Sequence, residues 1–469
     1  MPHSDRKPRV GVLALTLDLY EQLAPGLREG REAWLRAALL PALSEYAEVL
    51  FAGAVFQADA VAECVTRYEA EGAEALLVLC LTYSPSQVSL GALRRTRLPI
   101  VIWNTQELWG VDAQFTPGLM TDNHGVHGTQ DLANVLRRSE VPFAFVTSHV
   151  RDPDGLTELA AFFRAAAAVS RLRRLRLGLL GYPFPGMGDF ACDTTHLCAS
   201  LGCGWKSLAI EDYIAGAEAA PACEVAAIQD DYRARYAVAG DLSPRDLELT
   251  ARAEWALRSL LEQHRVQAFS YQFMAFGEDS RTQTVPFVAA SRLMADGLGF
   301  AGEGDLPGAV NTWLLQQVAG PASFSEMFTI DFAGNGLFLS HMGEANVAMA
   351  RSDRPVPLVA RPKPITRTQG RQLVLVTSFE PGPATLCALA LGPRQRWRLI
   401  VSRVMIADFG PLAAMPLPHS TIHVRGDVRE WLTAYAHFGG PHHHAICPGD
   451  ATAQLKQLAA LLPADYYEV

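Results

Sequence analysis

The 469-residue sequence lacks several features that would assign it to a specialised class of protein. It has eight cysteines but no Cys-x-x-Cys pair, so neither a disulfide framework nor a thiolate zinc site is predicted. It has no apolar run long enough to span a bilayer, and its first residues lack the apolar core of a secretory signal. We therefore expect a cytoplasmic protein with no membrane partner.

Basic charge is also scarce, because 40 basic residues face 49 acidic ones and the net charge is -9. Binding to nucleic acid needs clustered Lys and Arg that neutralise phosphates, so no nucleic-acid partner is predicted. Apolar residues make up 49% of the chain, the balance of a protein with a large buried core. The length predicts two or three domains.

The first third of the chain alternates short apolar runs with helix-length segments, which is typical of a parallel sheet covered by helices on both faces. The predicted strands are Val10–Leu15, Ala75–Leu81, Pro99–Trp103 and Pro142–Thr147. A second alternation begins at Leu175, with further predicted strands at Val225–Ile228 and Val266–Tyr271. From Phe328 the sequence becomes strand-like and rich in Pro and Gly.

This pattern predicts an α/β fold class in three domains. Residues 1–172 and 173–315 form two doubly wound α/β domains with parallel sheets, and residues 316–469 form an antiparallel, β-barrel-like domain. Ligands of open α/β sheets bind beyond the carboxyl ends of the strands. The segments that follow the first strands, such as LTLDLYE and LTYSPSQ, are polar and aromatic and suit a small polar ligand.

Two carboxylates stand out in the second half of the chain. Glu303 lies in GFAGEGD, where the flanking glycines free the backbone to direct its side chain into a cleft. Asp305 in the same segment precedes a helix start and is predicted to be its N-cap. Glu326 lies among aromatic and apolar residues in SFSEMFTIDF, where a carboxylate should be paired, metal-bound or protonated.

Two histidine segments accompany these carboxylates. His341 and Glu344 end an apolar run in FLSHMGEANV, and FGGPHHHAIC carries His442, His443 and His444. Three successive histidines cannot all face one point, so which of them binds stays open. A single histidine is more often a hydrogen-bonded core residue than a ligand, but two glutamates and two histidines together outline a mixed oxygen and nitrogen metal site. Such donors suit Mn²⁺, Co²⁺ or a related divalent ion.

The order and spacing of GFAGEGD, SFxE, HMxE and GGxHH resemble the C-terminal half of the L-arabinose isomerase family. Weaker counterparts cover most of the chain: LDLYE, CLTYSP, NTQ, NHGVHG and GMGDF. The resemblance implies a metal-dependent aldose–ketose isomerase acting on a free pentose or hexose through a cis-enediol. It also implies two α/β domains and a β-barrel-like domain, in a trimer or hexamer with active sites at subunit interfaces.

The resemblance also implies the roles of individual residues. The catalytic pair would be Glu303 and Glu326, and the cation, Mn²⁺ first with Co²⁺ or Mg²⁺ as alternatives, would be bound by Glu303, Glu326, His341 and His443. The residues that contact the sugar would be Leu19, Tyr20, Tyr83, His127 and Met187, of which Leu19, Tyr20 and His127 would reach the site of a neighbouring subunit.

The sequence departs from the family at several positions around the sugar. Leu17 and Asp18 replace a Gln-His pair, Leu81 begins a segment that is usually His-Thr-Phe, and EMFTIDF replaces EDYTYHF. The metal ligands are kept while substrate-contacting positions change, so the resemblance does not fix L-arabinose as the substrate. Two alternatives stay open: a metal-dependent hydrolase that activates water, and a non-catalytic sugar-binding protein.

Overall fold

The computed structural model describes residues 6–462 and 464–469. The chain divides into two compact units, one formed by residues 6–171 and the other by residues from 172 onward. The three predicted domains stay a prediction. No helix in the described part of the chain combines the length and the apolar character needed to cross a membrane.

The first unit is built from six strands and eight helices. Its strands are β1 (Arg9–Leu15), β2 (Glu48–Leu50), β3 (Ala54–Val55), β4 (Ala75–Cys80), β5 (Ile100–Asn104) and β6 (Ala144–Thr147). Its helices are α1 (Asp18–Leu23), α2 (Leu27–Trp34), α3 (Leu40–Ser44), α4 (Ala58–Ala70), α5 (Gln87–Arg95), α6 (Pro117–Asp122), α7 (Val126–Arg138) and α8 (Pro153–Leu172). A π-helical turn, Leu35–Leu39, joins α2 to α3.

The strands of this unit form one parallel sheet in the order β2-β1-β4-β5-β6, with β3 also paired to β1. Every residue of β4 is buried, because its sequence, ALLVLC, is apolar on both faces of the sheet. The side chains of Tyr68, Leu93 and Leu136, from α4, α5 and α7, pack into the core around it. The predicted parallel sheet of this region is confirmed.

The second unit begins with strands β7 (Arg176–Leu180), β8 (Gly204–Leu208), β9 (Ala237–Val238), β10 (Ala268–Tyr271) and β11 (Gly299–Ala301). Its helices here are α9 (Thr194–Leu201), α10 (Ile210–Ala219), α11 (Ala222–Arg235), α12 (Pro244–Gln263), α13 (Phe273–Gly277), α14 (Phe287–Ala295) and α15 (Leu306–Ala319). Four of these strands form a parallel sheet in the order β11-β10-β7-β8. The strand predicted at Val225–Ile228 is wrong, because these residues lie inside α11.

The remaining part of the second unit is rich in strands. These are β12 (Ser323–Asp331), β13 (Gly336–Ser340), β14 (Pro357–Ala360), β15 (Leu373–Leu375), β16 (Gly382–Leu391), β17 (Trp397–Ile406), β18 (His419–Val424), β19 (His443–Pro448) and β20 (Ala464–Glu468). Two helices follow late in the chain, α16 (Val428–His437) and α17 (Thr452–Leu461). Short 3₁₀ turns lie at Val347–Met349 and Pro393–Gln395.

Seven of these strands form a mixed sheet in the order β16-β19-β12-β13-β18-β17-β20. Because β16 also pairs with β17, six of the strands close into an antiparallel ring, and β20 adds to β17 in parallel. Leu386, Ile422 and Ile446 belong to the apolar core packed against this ring. The predicted antiparallel pairing is confirmed for the ring, whereas a barrel is not.

Candidate functional site

Four segments of the second unit meet where the ring lies next to the parallel sheet. Glu303 follows β11, Glu326 lies in β12, and His341 directly follows β13. In the ring, Glu326 pairs with His443 of β19 on one side and with Ser340 of β13 on the other. Because paired residues on neighbouring strands lie about 5 Å apart, this register fixes Glu326 beside both histidine segments.

The ligand atoms of these residues fall into two overlapping groups. Those of Glu326, His341 and His443 lie within 4.8 Å of one another, and so do those of Glu303, His442 and His443. His443 Nε2 lies 3.7 Å from Glu303 Oε2, and His442 Nε2 lies 4.0 Å from Glu326 Oε1. The structure therefore brings the four predicted ligands together and adds His442 to them.

Glycines on either side of Glu303 shape the turn that carries it. Glu303 has φ +64° and Gly304 has φ +81°, both in the left-handed region. A Cβ atom on Gly302 would lie 2.4 Å from His341 Cε1, so only glycine permits this approach of the backbone to the imidazole. The carbonyl of Glu303 accepts a hydrogen bond from the backbone N–H of Phe184 at 2.8 Å, which anchors the turn.

Aromatic rings enclose the two buried histidines. His341 and His443 are each only 2% exposed. The ring of Phe324 meets both edge-on, with centroids 4.7 Å from His341 and 4.8 Å from His443. Phe190 stacks on the other side of His443 at 5.2 Å. These contacts exclude water and restrict the imidazoles to one orientation.

A carboxylate lies behind each of the three imidazoles. The distances are 2.6 Å from His341 Nδ1 to Glu344 Oε2, 2.5 Å from His442 Nδ1 to Asp189 Oδ2, and 3.1 Å from His443 Nδ1 to Asp305 Oδ2. Among the described residues, Nε2 of His341 and Nε2 of His443 are buried without a hydrogen-bond partner. The two histidines belong to the groups of possible ligand atoms that include the two glutamates, and His443 Nε2 lies 3.7 Å from Glu303 Oε2.

Burial controls the protonation of the site. It raises the pKa of both Glu303 and Glu326, because a charged carboxylate is poorly solvated there. Burial, together with the neighbouring His341 and His442, holds the pKa of His443 well below its usual value, so its imidazole is neutral. Burial also raises the pKa of Asp305 to about 7.

This set of donors fits a divalent cation. Two buried imidazoles with unpaired nitrogens and two carboxylates that are poorly solvated would each gain from a bound positive charge. A mixed set of imidazole and carboxylate donors suits a divalent cation, whereas a site that selects a thiolate-seeking ion would need cysteines. The residues present therefore pass the test of chemical fit for the predicted metal.

Three of the residues predicted to contact sugar lie together in the first unit. Tyr83 stacks on His127 with ring centroids 4.4 Å apart, and the Tyr20 hydroxyl lies 3.1 Å from His124 Nδ1. His124 in turn lies edge-on to His127 at 4.0 Å. Leu19 is half exposed.

Met187 belongs to the second unit, where it follows Phe184 in the loop after β7. Whether Met187 or the residues of the first unit bind sugar stays a prediction. Their placement shows that the predicted sugar contacts are divided between the two compact units.

Several residues of these clusters have no role predicted by the sequence. Asp189, Glu344 and His124 all lie within the motifs that carry the family resemblance, but no pattern assigns them a contact. For Glu344, the sequence offers one signal of its contact with His341: the two residues are three positions apart. Asp305 is the N-cap of α15, as predicted, since its Oδ1 accepts the Gly308 N–H at 2.7 Å, but it also contacts His443.

Comparisons with known proteins match this chain to L-arabinose isomerases. A family model for the central domain of L-arabinose isomerase matches residues 192–320, and one for the C-terminal domain matches residues 321–465. L-arabinose isomerases of Acidothermus cellulolyticus and of a Nocardioides species are each 28% identical to this chain, over 81% of it and 77% of their own length. The L-arabinose isomerase of Klebsiella pneumoniae is 26% identical over 82% of this chain and 79% of its own.

Proposed function

This chain belongs to the L-arabinose isomerase family, and from that premise we infer that it is an aldose–ketose isomerase acting on a free pentose or hexose. The observation that carries the inference is the convergence of Glu303, Glu326, His341 and His443 in two groups of possible ligand atoms that share His443. We further propose that the enzyme depends on a divalent cation and that the reaction passes through a cis-enediol.

The four converging residues would hold the cation, Mn²⁺ in first place and Co²⁺ or Mg²⁺ as alternatives. When bound, the cation supplies positive charge that stabilises the developing enediolate oxygens. His341 and His443 provide nitrogen donors that pack against the aromatic rings around them. Glu303 and Glu326 provide the oxygen donors and remain beside the reacting carbons.

Glu303 and Glu326 form the proposed acid/base pair. One carboxylate removes the proton from C2 of the aldose, while the carboxylic acid of the other donates a proton to O1, which gives the cis-enediol. The first residue then returns its proton to C1, and the second takes the proton of O2, which leaves the C2 carbonyl of the ketose. Burial, which raises the pKa of both glutamates, makes each able to hold a proton during this exchange.

Recognition of the sugar is proposed to involve Leu19, Tyr20, Tyr83, His127 and Met187. We propose that the protein is a homo-oligomer, a trimer or a hexamer, in which Leu19, Tyr20 and His127 act in the site of a neighbouring subunit. The histidine at position 124, beside Tyr20 and His127, adds a polar group to this cluster. We also propose that the protein is cytoplasmic.

The deciding experiment is a panel of aldopentoses and aldohexoses incubated with the purified protein, with Mn²⁺, Co²⁺ or Mg²⁺ added after removal of bound metal. We expect a ketose from at least one sugar, with solvent deuterium entering the carbon skeleton in heavy water. If the same preparations form no ketose from this panel but release sugar from added glycosides, that result would favour the hydrolase instead. Sugar binding with no turnover under any metal would favour a binding protein.

A further inference from the structure

The three imidazoles of the site share one arrangement that the proposed acid/base chemistry does not use. Each places Nδ1 against a carboxylate, which leaves Nε2 as the ring nitrogen available to a cation. Nε2 of His442 and of His443 lies near a glutamate oxygen, and Nε2 of His341 is buried without a hydrogen-bond partner. A neutral imidazole has one N–H donor and one lone-pair acceptor, and an ionised carboxylate can only accept. A carboxylate at Nδ1 therefore fixes the proton on that atom and leaves the lone pair on Nε2.

Asp305 is held rigidly enough to perform this task for His443. Its Oδ1 accepts the N–H of Gly308 in the first turn of α15 at 2.7 Å, and its Oδ2 lies 3.1 Å from His443 Nδ1. The side chain is only 2% exposed. The helix start determines which oxygen faces the histidine, so the two oxygens cannot exchange their partners freely.

Glu344 is held in a different way behind His341. Its Oε2 accepts both from His341 Nδ1, at 2.6 Å, and from the Gly343 N–H, at 3.0 Å. Its Oε1 accepts the hydroxyl of the fully buried Tyr271 at 2.5 Å. Three donors therefore surround this carboxylate. It contacts Tyr271 of β10 on one side and His341, which follows β13, on the other.

We propose that Asp305 and Glu344 are positioning residues that select the Nδ1–H tautomer of His443 and His341, and that cation affinity depends on this selection. The inference rests on the proposed cation site. Hydrogen bonds to the second nitrogen of metal-binding histidines typically change metal affinity ten- to a hundred-fold.

Replacing each carboxylate by the corresponding amide should affect the two histidines differently, and this difference is the test of the proposal. In Asp305→Asn, the amide oxygen stays on the Gly308 N–H, so the amide nitrogen faces His443 and donates to Nδ1. The proton of the imidazole then moves to Nε2, where it blocks metal binding. In Glu344→Gln, the amide oxygen stays on the Gly343 N–H, so it continues to accept from His341 Nδ1, and the Tyr271 hydroxyl turns to accept from the amide nitrogen.

Mn²⁺ binding is measured by calorimetry on metal-free protein without sugar, at one fixed pH of about 8 for all variants, well above the ordinary pKa of a carboxyl group. We expect Asp305→Asn to weaken binding at least ten-fold and Glu344→Gln to weaken it by a clearly smaller factor. The matched control is Asp193→Asn, since Asp193 is likewise an aspartate N-cap, accepting from the N–H groups of Thr195 and His196 at the start of α9. This control should bind as the unaltered protein does.

A second readout separates positioning from a general loss of charge or of folding. In ¹⁵N-histidine NMR of the metal-free protein, Asp305→Asn should move the His443 proton from Nδ1 to Nε2, and Glu344→Gln should leave the His341 tautomer unchanged. If Asp305→Asn does not fold, Asp305→Ser keeps a cap but cannot reach His443, and it should also weaken Mn²⁺ binding.

Equal losses in Asp305→Asn and Glu344→Gln, or unchanged tautomers in both, would overturn the positioning role while leaving the proposed function in place. The failure of the proposed cation site has a different appearance, and the failure of the isomerase activity is seen separately, as no ketose from any sugar of the panel. If the cation site fails, the unaltered protein itself would bind no Mn²⁺, and the dependence of cation affinity on Asp305 and Glu344 would be overturned with it.

Discussion

At the residue scale, Gly302 lies where a methyl group would collide with an imidazole. A Cβ atom at this position would be 2.4 Å from Cε1 of His341 and 2.9 Å from Nε2, the atom proposed to bind the cation. We predict that Gly302→Ala displaces His341 and weakens Mn²⁺ binding by at least ten-fold, measured by calorimetry. Gly240→Ala is the control, because no described atom lies within 4 Å of the Cβ position at Gly240. Unchanged binding in Gly302→Ala would show that His341 does not need this approach.

The two glutamates provide the second prediction at this scale. Glu303→Gln and Glu326→Gln each keep the volume of the side chain but remove its ability to accept a proton from carbon. Because general acid/base catalysis contributes about 10²–10⁴-fold to rate, we expect kcat to fall by at least that factor in either variant. Loss of deuterium exchange at C2 of the sugar should accompany it. Turnover within ten-fold of the original in either variant would remove that glutamate from the acid/base pair.

Sequence patterns identified the residues that converge but not the layer behind them. Glycine flanks pointed to Glu303, and apolar surroundings pointed to Glu326, because both signals are local. The contact of Asp189 with His442 joins residues 253 positions apart, and that of Asp305 with His443 joins residues 138 apart. Local sequence patterns cannot predict contacts between residues so far apart, so these contacts were identified only from the structure.

At the element scale, the N-terminus of α12 has a capping box whose contribution to stability can be measured without changing a residue of the proposed cation site. Ser243 Oγ accepts the N–H of Asp246, and Asp246 Oδ2 accepts the N–H of Ser243, which forms a reciprocal capping box. We predict that Ser243→Ala lowers the free energy of unfolding by about 1 kcal/mol, measured by urea denaturation. Its Mn²⁺ affinity should match that of the original chain, and a change there would mean that α12 is coupled to the site.

The wrong strand at Val225–Ile228 has a clear physical reason. A run of four residues with apolar side chains is too short for periodicity to separate a strand from a buried helix face. The surrounding Ala and Glu residues favour a helix, and only Val225 and Tyr232 of α11 are buried, seven residues and about two turns apart. The longer apolar strands, such as β1 and β4, were predicted correctly because both faces of a parallel sheet are buried.

At the scale of the whole molecule, we expect bound metal to slow amide hydrogen exchange in the second compact unit and to change it little in the first. A ligand that binds only the folded state at a concentration about 100 times its Kd stabilises that state by about 2.7 kcal/mol. We predict that Mn²⁺ slows amide hydrogen exchange in β11, β12, β13 and β19, and changes it little in residues 6–171. The His443→Ala variant should show no such slowing. Slowing confined to residues 6–171 would contradict the proposed location of the cation.

The sequence predicted the general architecture, but it did not predict that the C-terminal strands close into a ring. Alternating apolar runs predicted parallel pairing, and Pro- and Gly-rich strands predicted antiparallel pairing. The pairing of β16 with β17 closes the ring, and it joins strands whose order no periodic pattern records.

Three successive histidines lie at the start of β19: His442 directly precedes the strand, and His443 and His444 are its first two residues. His443 pairs with Glu326 and His444 with Ser325, so the pleat sends their side chains to opposite faces of the strand. His444 is fully buried, and burial lowers its pKa to about 3. A slip of one residue in this pairing would still present an imidazole to Glu326. The three consecutive imidazoles therefore keep a nitrogen donor opposite Glu326 in the observed register and in the register one residue to either side.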